Sequence, residues 1–199
     1  MHLSKKRILK NPIRQFDLWY KDAEKLKLKH PNAMNISTVN KKGRPTNRMV
    51  LLKKYNNTGF YFYTNYKSQK GKDIANNPYV ALTFYWEKLN RQVRIEGRAK
   101  KVSISTSNTY FNSRERLSQI GALASSQSEV LDNYQELQDK FDLLKKEYKN
   151  KKIPRPKYWG GFCIAPDSIE FWQGRNSRMH DRLLFKKKKG RWVIERLSP

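Results

Sequence analysis

The chain has 199 residues, with 43 Lys and Arg against 17 Asp and Glu, a formal net charge of +26 and a single cysteine. That length suits one domain with a core, and a content of 37% hydrophobic and 13% aromatic residues excludes a disordered basic tail. Cys163 alone excludes an intrachain disulfide framework, no apolar run approaches the roughly 20 residues of a membrane span, and the charged start Met1–Arg7 has no apolar stretch of a secretory signal, so a cytoplasmic protein is expected.

The first 11 residues are expected to form a flexible arm. Asn11 can cap a helix, Pro12 suits its first turn, and Ile13, Phe16, Trp19, Tyr20, Ala23 and Leu26 recur at helical spacing. His30-Pro31 is expected to end it. Short β-rich runs follow over Ala33–Asn40, Asn47–Lys53 and Gly59–Thr64, separated by Lys42-Gly43 and Asn56-Asn57. Ser68 begins a helix of about two turns that Asn77-Pro78 stops. Tyr79–Trp86 reads as an apolar strand. Arg91–Val102 alternates, with Val93 and Ile95 on one face and Gln92, Arg94 and Glu96 on the other. One helical stretch spans Ser105–Ala124, and another Asn133–Lys149, with Tyr134, Leu137, Phe141, Leu144 and Tyr148 on one face. Pro154 and Pro156 break the pattern. Gly160–Ile164 running into Ser168–Gln173, then Arg178–Phe185 and Arg191–Leu197, complete the strands. The pattern predicts a mainly β protein: an antiparallel core of about seven or eight strands with flanking helices, in one domain over 1–199, for which closure into a barrel would remove the edges.

The charge first suggests nucleic acid. Yet the 28 lysines and 15 arginines are spread along the whole chain rather than gathered in a stripe. The dense run Lys186–Lys189 before Gly190-Arg191 lies between two apolar segments and reads as a solvated hairpin turn. Dinucleotide and phosphate loops and the Gly-x-Ser-x-Gly elbow are missing. His2, His30, His180 and Cys163 are too scattered for a metal site.

Four clusters could carry chemistry, and each also has an ordinary reading as solvated or capping residues. On a strand, Arg178, His180 and Arg182 share one face, where they need water or an anion. Arg48 and Lys53 bracket an apolar strand. Ser68-Gln69-Lys70 opens a helix, where N–H groups and the dipole favour an anion. Tyr110, Arg114 and Ser118 fall at i, i+4 and i+8 of one helix, which aligns two hydroxyls and a guanidinium as a phosphate grip.

Ile169–Arg182, read as Ile-Glu-Phe-Trp-Gln-x4-Arg-Met-His-Asp-Arg, resembles the signature of the pyridoxine/pyridoxamine 5′-phosphate oxidase family at every specified position. The Arg48–Lys53 strand, Phe62–Asn65, Arg91–Val93, Ser118–Gly121 and Trp159–Phe162 match that family in order, so the resemblance covers about Pro12 to Pro199. It implies an FMN-binding split β-barrel and a homodimer with FMN at the interface. By the same resemblance Arg48, Met49, Val50, Leu51, Leu52, Lys53, Tyr63, Thr64 and Lys70 would hold FMN. Gln92, Gln127, Ser128, Trp172 and Arg182 would complete the FMN site, some from the other subunit. Lys53, Tyr110, Arg114 and Ser118 would grip the substrate phosphate, and Arg178 and His180 would serve at the reacting end. The implied reaction oxidises pyridoxamine or pyridoxine 5′-phosphate to the aldehyde at C4′, with O2 reoxidising the flavin to give H2O2 and ammonia leaving from the amine. It needs no metal, membrane or specific nucleic acid. The alternatives are a split-barrel flavoprotein with another substrate and a basic nucleic-acid-binding module. Gln69 departs from the pattern, because the family usually has a basic residue there, and weaker hold on the FMN phosphate is expected.

Overall fold

The spacing of Ile13, Phe16, Trp19 and Ala23 turns one face of α1 (Pro12–Lys25) into the core, where all four are buried. The computed structural model describes residues 3–199; Met1 and His2 lie outside the described residues. Asn11 caps α1 as expected: its Oδ1 accepts from the N–H groups of Ile13 at 2.8 Å and Arg14 at 3.1 Å. The helix stops at Lys25, before His30-Pro31, because Lys27 turns left-handed at φ +50°. Phe16 is fully buried and meets Tyr55, Phe60 and Phe84 edge to face, with centroids 4.9 to 5.0 Å apart. The segment before α1 is docked: Ile8 is buried, and the Leu3 N–H donates to Asp181 at 3.1 Å. Of the arm expected over residues 1–11, Leu3 and Ile8 are anchored on the body, while Lys5, Lys6, Arg7, Leu9 and Lys10 are exposed.

Nine strands build the sheet among the described residues: β1 (Ala33–Val39), β2 (Pro45–Leu51), β3 (Lys54–Asn56), β4 (Gly59–Asn65), β5 (Tyr79–Trp86), β6 (Arg91–Lys101), β7 (Trp159–Gln173), β8 (Asp181–Lys188) and β9 (Arg191–Arg196). Their order is β2-β1-β5-β6-β7-β4-β3, with β8 on β7 and β9 on β8, and every pair is antiparallel. The alternation read in β6 holds: Val93 and Ile95 are fully buried, while Arg94 and Glu96 are exposed. The hairpin turn read in the lysine run is confined to Lys189 at φ +47° and Gly190 at φ +79°, while Lys186–Lys188 end β8 and pair with β9.

The 15-residue β7 organises the fold. It pairs with β6 along its length, but with β4 only through its first half, from Trp159 to Ile164, and with β8 only through its second, from Ser168 to Gln173. The change of partner falls at Pro166, which has no N–H to donate. The facing strand has a register shift between Glu96 and Gly97 there. A Cβ on Gly97 would lie 2.2 Å from the Ala165 carbonyl oxygen, so the close approach at this kink requires glycine.

Two further expectations fail, each for a local reason. The stretch over Ser105–Ala124 is two helices, α3 (Ile104–Asn112) and α4 (Arg116–Ala124). The corner is fixed by buried Gln119, whose Nε2 donates to the carbonyls of Phe111, Asn112 and Arg114 at 3.0, 3.3 and 3.0 Å. Two of these carbonyls, Phe111 and Asn112, close α3, where intrahelical partners run out, and the third belongs to the corner itself. Arg178–Arg182 is not one strand either. β8 begins at Asp181, and Ser177 and Arg178 are left-handed at φ +53° and +58°. The reversal brings Arg175 back onto Asp181 at 3.0 Å, while the Arg175 N–H donates to His180 Nδ1 at 3.1 Å. Two further helices were anticipated: α2 (Gln69–Asn76) and α5 (Tyr134–Glu147), capped by Asn133. No helix among the described residues is long and apolar enough to cross a membrane.

Candidate active site

A cavity of about 820 Å³ opens between the edge formed by β2 and β4, the start of α2, and the α3–α4 corner. Arg48, Met49, Val50, Leu51, Lys53, Tyr63, Thr64, Lys70, Tyr110, Arg114, Ser118 and Gln127 all line it. Residues drawn from three of the four clusters thus converge on one space. Leu52 turns the other way and is buried in the main core. Tyr110, Arg114 and Ser118 reach the cavity from α3, the corner and α4 in turn, so the bend, rather than one continuous helix face, brings them together.

One end of the cavity is built for an anion. Lys70 is only 7% exposed. Its Nζ donates to Thr64 Oγ1 at 3.2 Å, Ser68 Oγ at 3.3 Å and Gln127 Oε1 at 3.3 Å, with no carboxylate among these acceptors. Burial, with a smaller push from Arg48, lowers its pKa to about 8. Ser68 does not cap α2 with its side chain; its hydroxyl donates to the Asn65 carbonyl at 2.7 Å and accepts from Lys70. Arg48 lies close by, its Nη1 and Nη2 donating to Thr38 Oγ1 and Thr46 Oγ1, each at 2.7 Å. A buried ammonium beside a guanidinium is costly until an anion joins them.

A second cation stands over the aromatic wall. Tyr63 and Tyr110 stack with centroids 3.8 Å apart, and Trp159 lies nearly parallel to Tyr110 at 6.2 Å. A Cβ on Gly161 would come within 2.7 Å of the Tyr63 ring, so glycine lets this stack sit against β7. The Arg114 guanidinium lies 4.7 Å from the Trp159 ring. Its Nη1 is buried and, among the described residues, has no hydrogen-bond partner. A buried donor left open in this way points to a ligand oxygen. Glu115 is the only carboxylate among the described lining residues, against Arg48, Lys53, Lys70 and Arg114.

Most of the remaining expected residues lie apart from this cavity on β6 to β8, while Ser128 directly follows the lining residue Gln127. Gln92, Trp172 and Arg182 stand side by side on β6, β7 and β8, because Gln92 registers with Trp172 and Trp172 with Arg182. Arg182 Nε donates to Glu170 at 2.7 Å. The His180 ring lies 4.7 Å from that of Trp172. Since His180 Nδ1 accepts from the Arg175 N–H, Nε2 carries the proton of the neutral ring. Arg178 is exposed on the left-handed turn, and Ser128 is exposed after α4 at φ +72°.

Several lining residues escaped the sequence reading: Asn65, Glu115, Gly121, Ala122, Ser125 and Trp159. Trp159 had a signal, since it opens the Trp159–Phe162 block. Asn65 and Gly121 had the same kind of signal, closing the Phe62–Asn65 and Ser118–Gly121 blocks, whereas Glu115, Ala122 and Ser125 are placed by the α3–α4 bend.

FMN and a phosphorylated substrate fit this donor set. Two anionic groups need two sets of cations, and the cavity offers an ammonium with a guanidinium at one end and an open guanidinium over the aromatic stack.

Comparison with known proteins agrees. The family model described as pyridoxamine 5′-phosphate oxidase matches residues 21–146, and that for the pyridoxine 5′-phosphate oxidase C-terminal dimerisation region matches residues 159–199. A pyridoxine/pyridoxamine 5′-phosphate oxidase of Haemophilus influenzae is 52% identical over 190 residues, covering 96% of this chain and 90% of the relative. That of Acaryochloris marina is 50% identical over 189 residues, covering 95% and 86%. Among solved structures, PhzG from Burkholderia lata superimposes with a TM-score of 0.94 at 24% identity, covering 100% of this chain and 98% of its own. An FMN-binding protein from Nostoc punctiforme does so with a TM-score of 0.76 at 14% identity, covering 95% and 98%. These two show the shared fold, a split β-barrel. With two family models that together span most of the sequence, and relatives half identical along nearly all of it, the chain belongs to the pyridoxine/pyridoxamine 5′-phosphate oxidase family.

Proposed function

We propose that this protein oxidises pyridoxamine 5′-phosphate and pyridoxine 5′-phosphate to pyridoxal 5′-phosphate, using FMN and O2 and releasing H2O2, with ammonia from the amine. It works as a homodimer in the formation and salvage of the vitamin B6 cofactor. One observation carries the assignment of sites: a single cavity holds two cation sets, a buried Lys70 Nζ whose only acceptors among the described residues are neutral oxygens and an Arg114 Nη1 with no acceptor among them. Bound FMN supplies the two-electron chemistry and its return to the oxidised state by O2.

The chain's own residues bind, aim and shield. Arg48 and Lys70, with the Thr64 hydroxyl and Gln127, hold the FMN phosphate, and Met49, Val50, Leu51 and Tyr63 flank the rest of the cofactor. Leu52 supports that strand from the core side. Lys53, Tyr110, Arg114 and Ser118 grip the substrate phosphate, far from the reacting carbon. Fixing that end leaves C4′ few orientations, which is the main service a protein can give to this reaction. The group Gln92, Ser128, Trp172, Arg182, Arg178 and His180 closes over the cavity of the other subunit in the dimer. In support, four of those six lie in residues 159–199, the span matched by the dimerisation region. The whole chain is read as one domain acting in the cytoplasm, where phosphate esters, unable to cross membranes, are retained.

Purified protein is expected to be yellow and to produce H2O2 when pyridoxamine 5′-phosphate is added in air. A colourless, inert protein after incubation with FMN would overturn the reading. Arg178→Ala is expected to lower turnover about 100-fold while FMN retention stays within twofold, because the side chain acts at the reacting end and not on the cofactor phosphate. Loss of FMN with normal turnover after refilling would remove Arg178 from that role.

A further inference from the structure

Arg48 is gripped from behind by a buried network that ends on Asp73 of α2. Asp73 is 1% exposed, and Thr38 is fully buried. Asp73 Oδ2 accepts from Thr38 Oγ1 at 2.7 Å and from Thr46 Oγ1 at 3.1 Å. The same two hydroxyls accept from Arg48 Nη1 and Nη2, each at 2.7 Å. A hydroxyl has one proton. A carboxylate can only accept, so it draws both protons to itself and leaves the oxygen lone pairs facing the guanidinium. Burial works against the charge of Asp73, yet hydrogen bonds from Thr38, Gln69 and Thr46 hold its carboxyl below the usual range. The other oxygen, Oδ1, accepts from Gln69 Nε2 at 2.7 Å. Gln69 is the position where a basic residue was expected. Here the residue is exposed and its side chain braces Asp73.

We propose that Asp73, braced by Gln69, is a positioning residue that sets the direction of Arg48 toward the FMN phosphate through the polarity of the Thr38 and Thr46 hydroxyls. The inference rests on the reading above that Arg48 binds that phosphate. It names a role for α2 that does not involve touching the ligand: one residue of the helix, Lys70, meets the anion directly, while another, one turn on, aligns the second cation. Without Asp73 the hydroxyls are free to turn their protons toward Arg48, where donor faces donor, and the guanidinium loses its fixed plane.

The test compares FMN with riboflavin, which lacks the phosphate, by titrating flavin-free protein. Asp73→Ala is expected to weaken FMN binding about tenfold, as loss of an orienting partner typically does, and to leave riboflavin binding within twofold. Thr46→Val, a near-isosteric change on β2, is expected to move the same ratio in the same direction and serves if Asp73→Ala folds poorly. Arg48→Gln is the reference and should lower the FMN-to-riboflavin ratio at least as far. If Arg48→Gln lowers it but Asp73→Ala and Thr46→Val do not, or if Asp73→Ala weakens both flavins equally, Asp73 does not act through Arg48 and the inference fails. If Arg48→Gln leaves the ratio unchanged, the phosphate assignment of Arg48 fails, and the inference falls with it. As a further check, Arg48→Gln combined with Asp73→Ala should cost no more than Arg48→Gln alone; additive losses would show that the two act independently.

Discussion

Replacing Lys70 by methionine is expected to weaken FMN binding about 100-fold and, at the same time, to stabilise the protein without cofactor. The two effects have one cause. Lys70 is 7% exposed and rests on three neutral oxygens. Holding its pKa at about 8 rather than 10.5 costs on the order of 3 kcal/mol while the group is charged in both folded and unfolded chains. Methionine fills much the same volume with no charge to bury, so the flavin-free variant should melt several degrees higher. The phosphate of FMN would normally offset that burial, and the variant forfeits it. A variant that binds FMN as well as the parent, or one that melts lower without flavin, would contradict this account.

The pH dependence follows with a definite sign. Below about pH 8 Lys70 is charged in both states and the whole penalty is present. Between pH 8 and 10.5 the unfolded chain holds the extra proton, so flavin-free stability from this group rises with pH. Above about pH 10 Tyr61, Tyr63 and Tyr66, whose pKa values burial raises, oppose it. FMN affinity should move the other way. Above pH 8 binding must first restore the proton on Lys70, and affinity falls by up to about tenfold per pH unit. Lys70→Met should flatten that slope, which separates Lys70 from any titration of the flavin itself.

Arg114→Met is expected to raise KM for pyridoxamine 5′-phosphate about 100-fold, with a small change in kcat and none in FMN binding. The argument is the open Nη1, buried with no partner among the described residues, on a guanidinium already seated over Trp159. Burial lowers its pKa, but an arginine remains charged. Such a group is prepared for an oxygen that arrives with the substrate. Methionine keeps the contact with the Trp159 ring and removes the donors. Pyridoxamine without its phosphate is the decisive control: its kcat/KM should be poor and equal in both proteins. Equal losses for the phosphorylated and unphosphorylated substrates would mean that Arg114 shapes the α3–α4 corner instead of reading the phosphate.

Much of this was legible in the chain. Alternating Val93 and Ile95, the Asn11-Pro12 start of α1 and the turn at Lys189-Gly190 are set by neighbours along the sequence, so local patterns find them. The cation clusters were also visible, though not which of them would share a space. What stayed hidden depends on individual side-chain contacts, near or far, that no residue periodicity encodes. The bend between α3 and α4 has no proline or glycine at Ser113–Glu115; it is made by Gln119 reaching back to three carbonyls. The turn at Ser177–Arg178 is imposed by Arg175 closing on Asp181. Asp73 gave no signal at all, since its partners Thr38 and Thr46 are 35 and 27 residues away. The separation of the expected residues into a cavity set and a sheet set also stayed hidden, since it depends on how β6, β7 and β8 pair far from β2 and β4.

The shared strand β7 also dictates when the protein can first hold its cofactor. The wall strand β4 has one long-range partner, and Phe60 waits for Ile164 about 100 residues further along. β1, β5 and β6 can pair with each other early, but the Tyr63 and Trp159 sides of the cavity meet only after nearly all of the chain has left the ribosome. The cavity is therefore complete only late in synthesis. A chain cut short before Trp159 would carry Arg48 and Lys70 without the aromatic wall that encloses them.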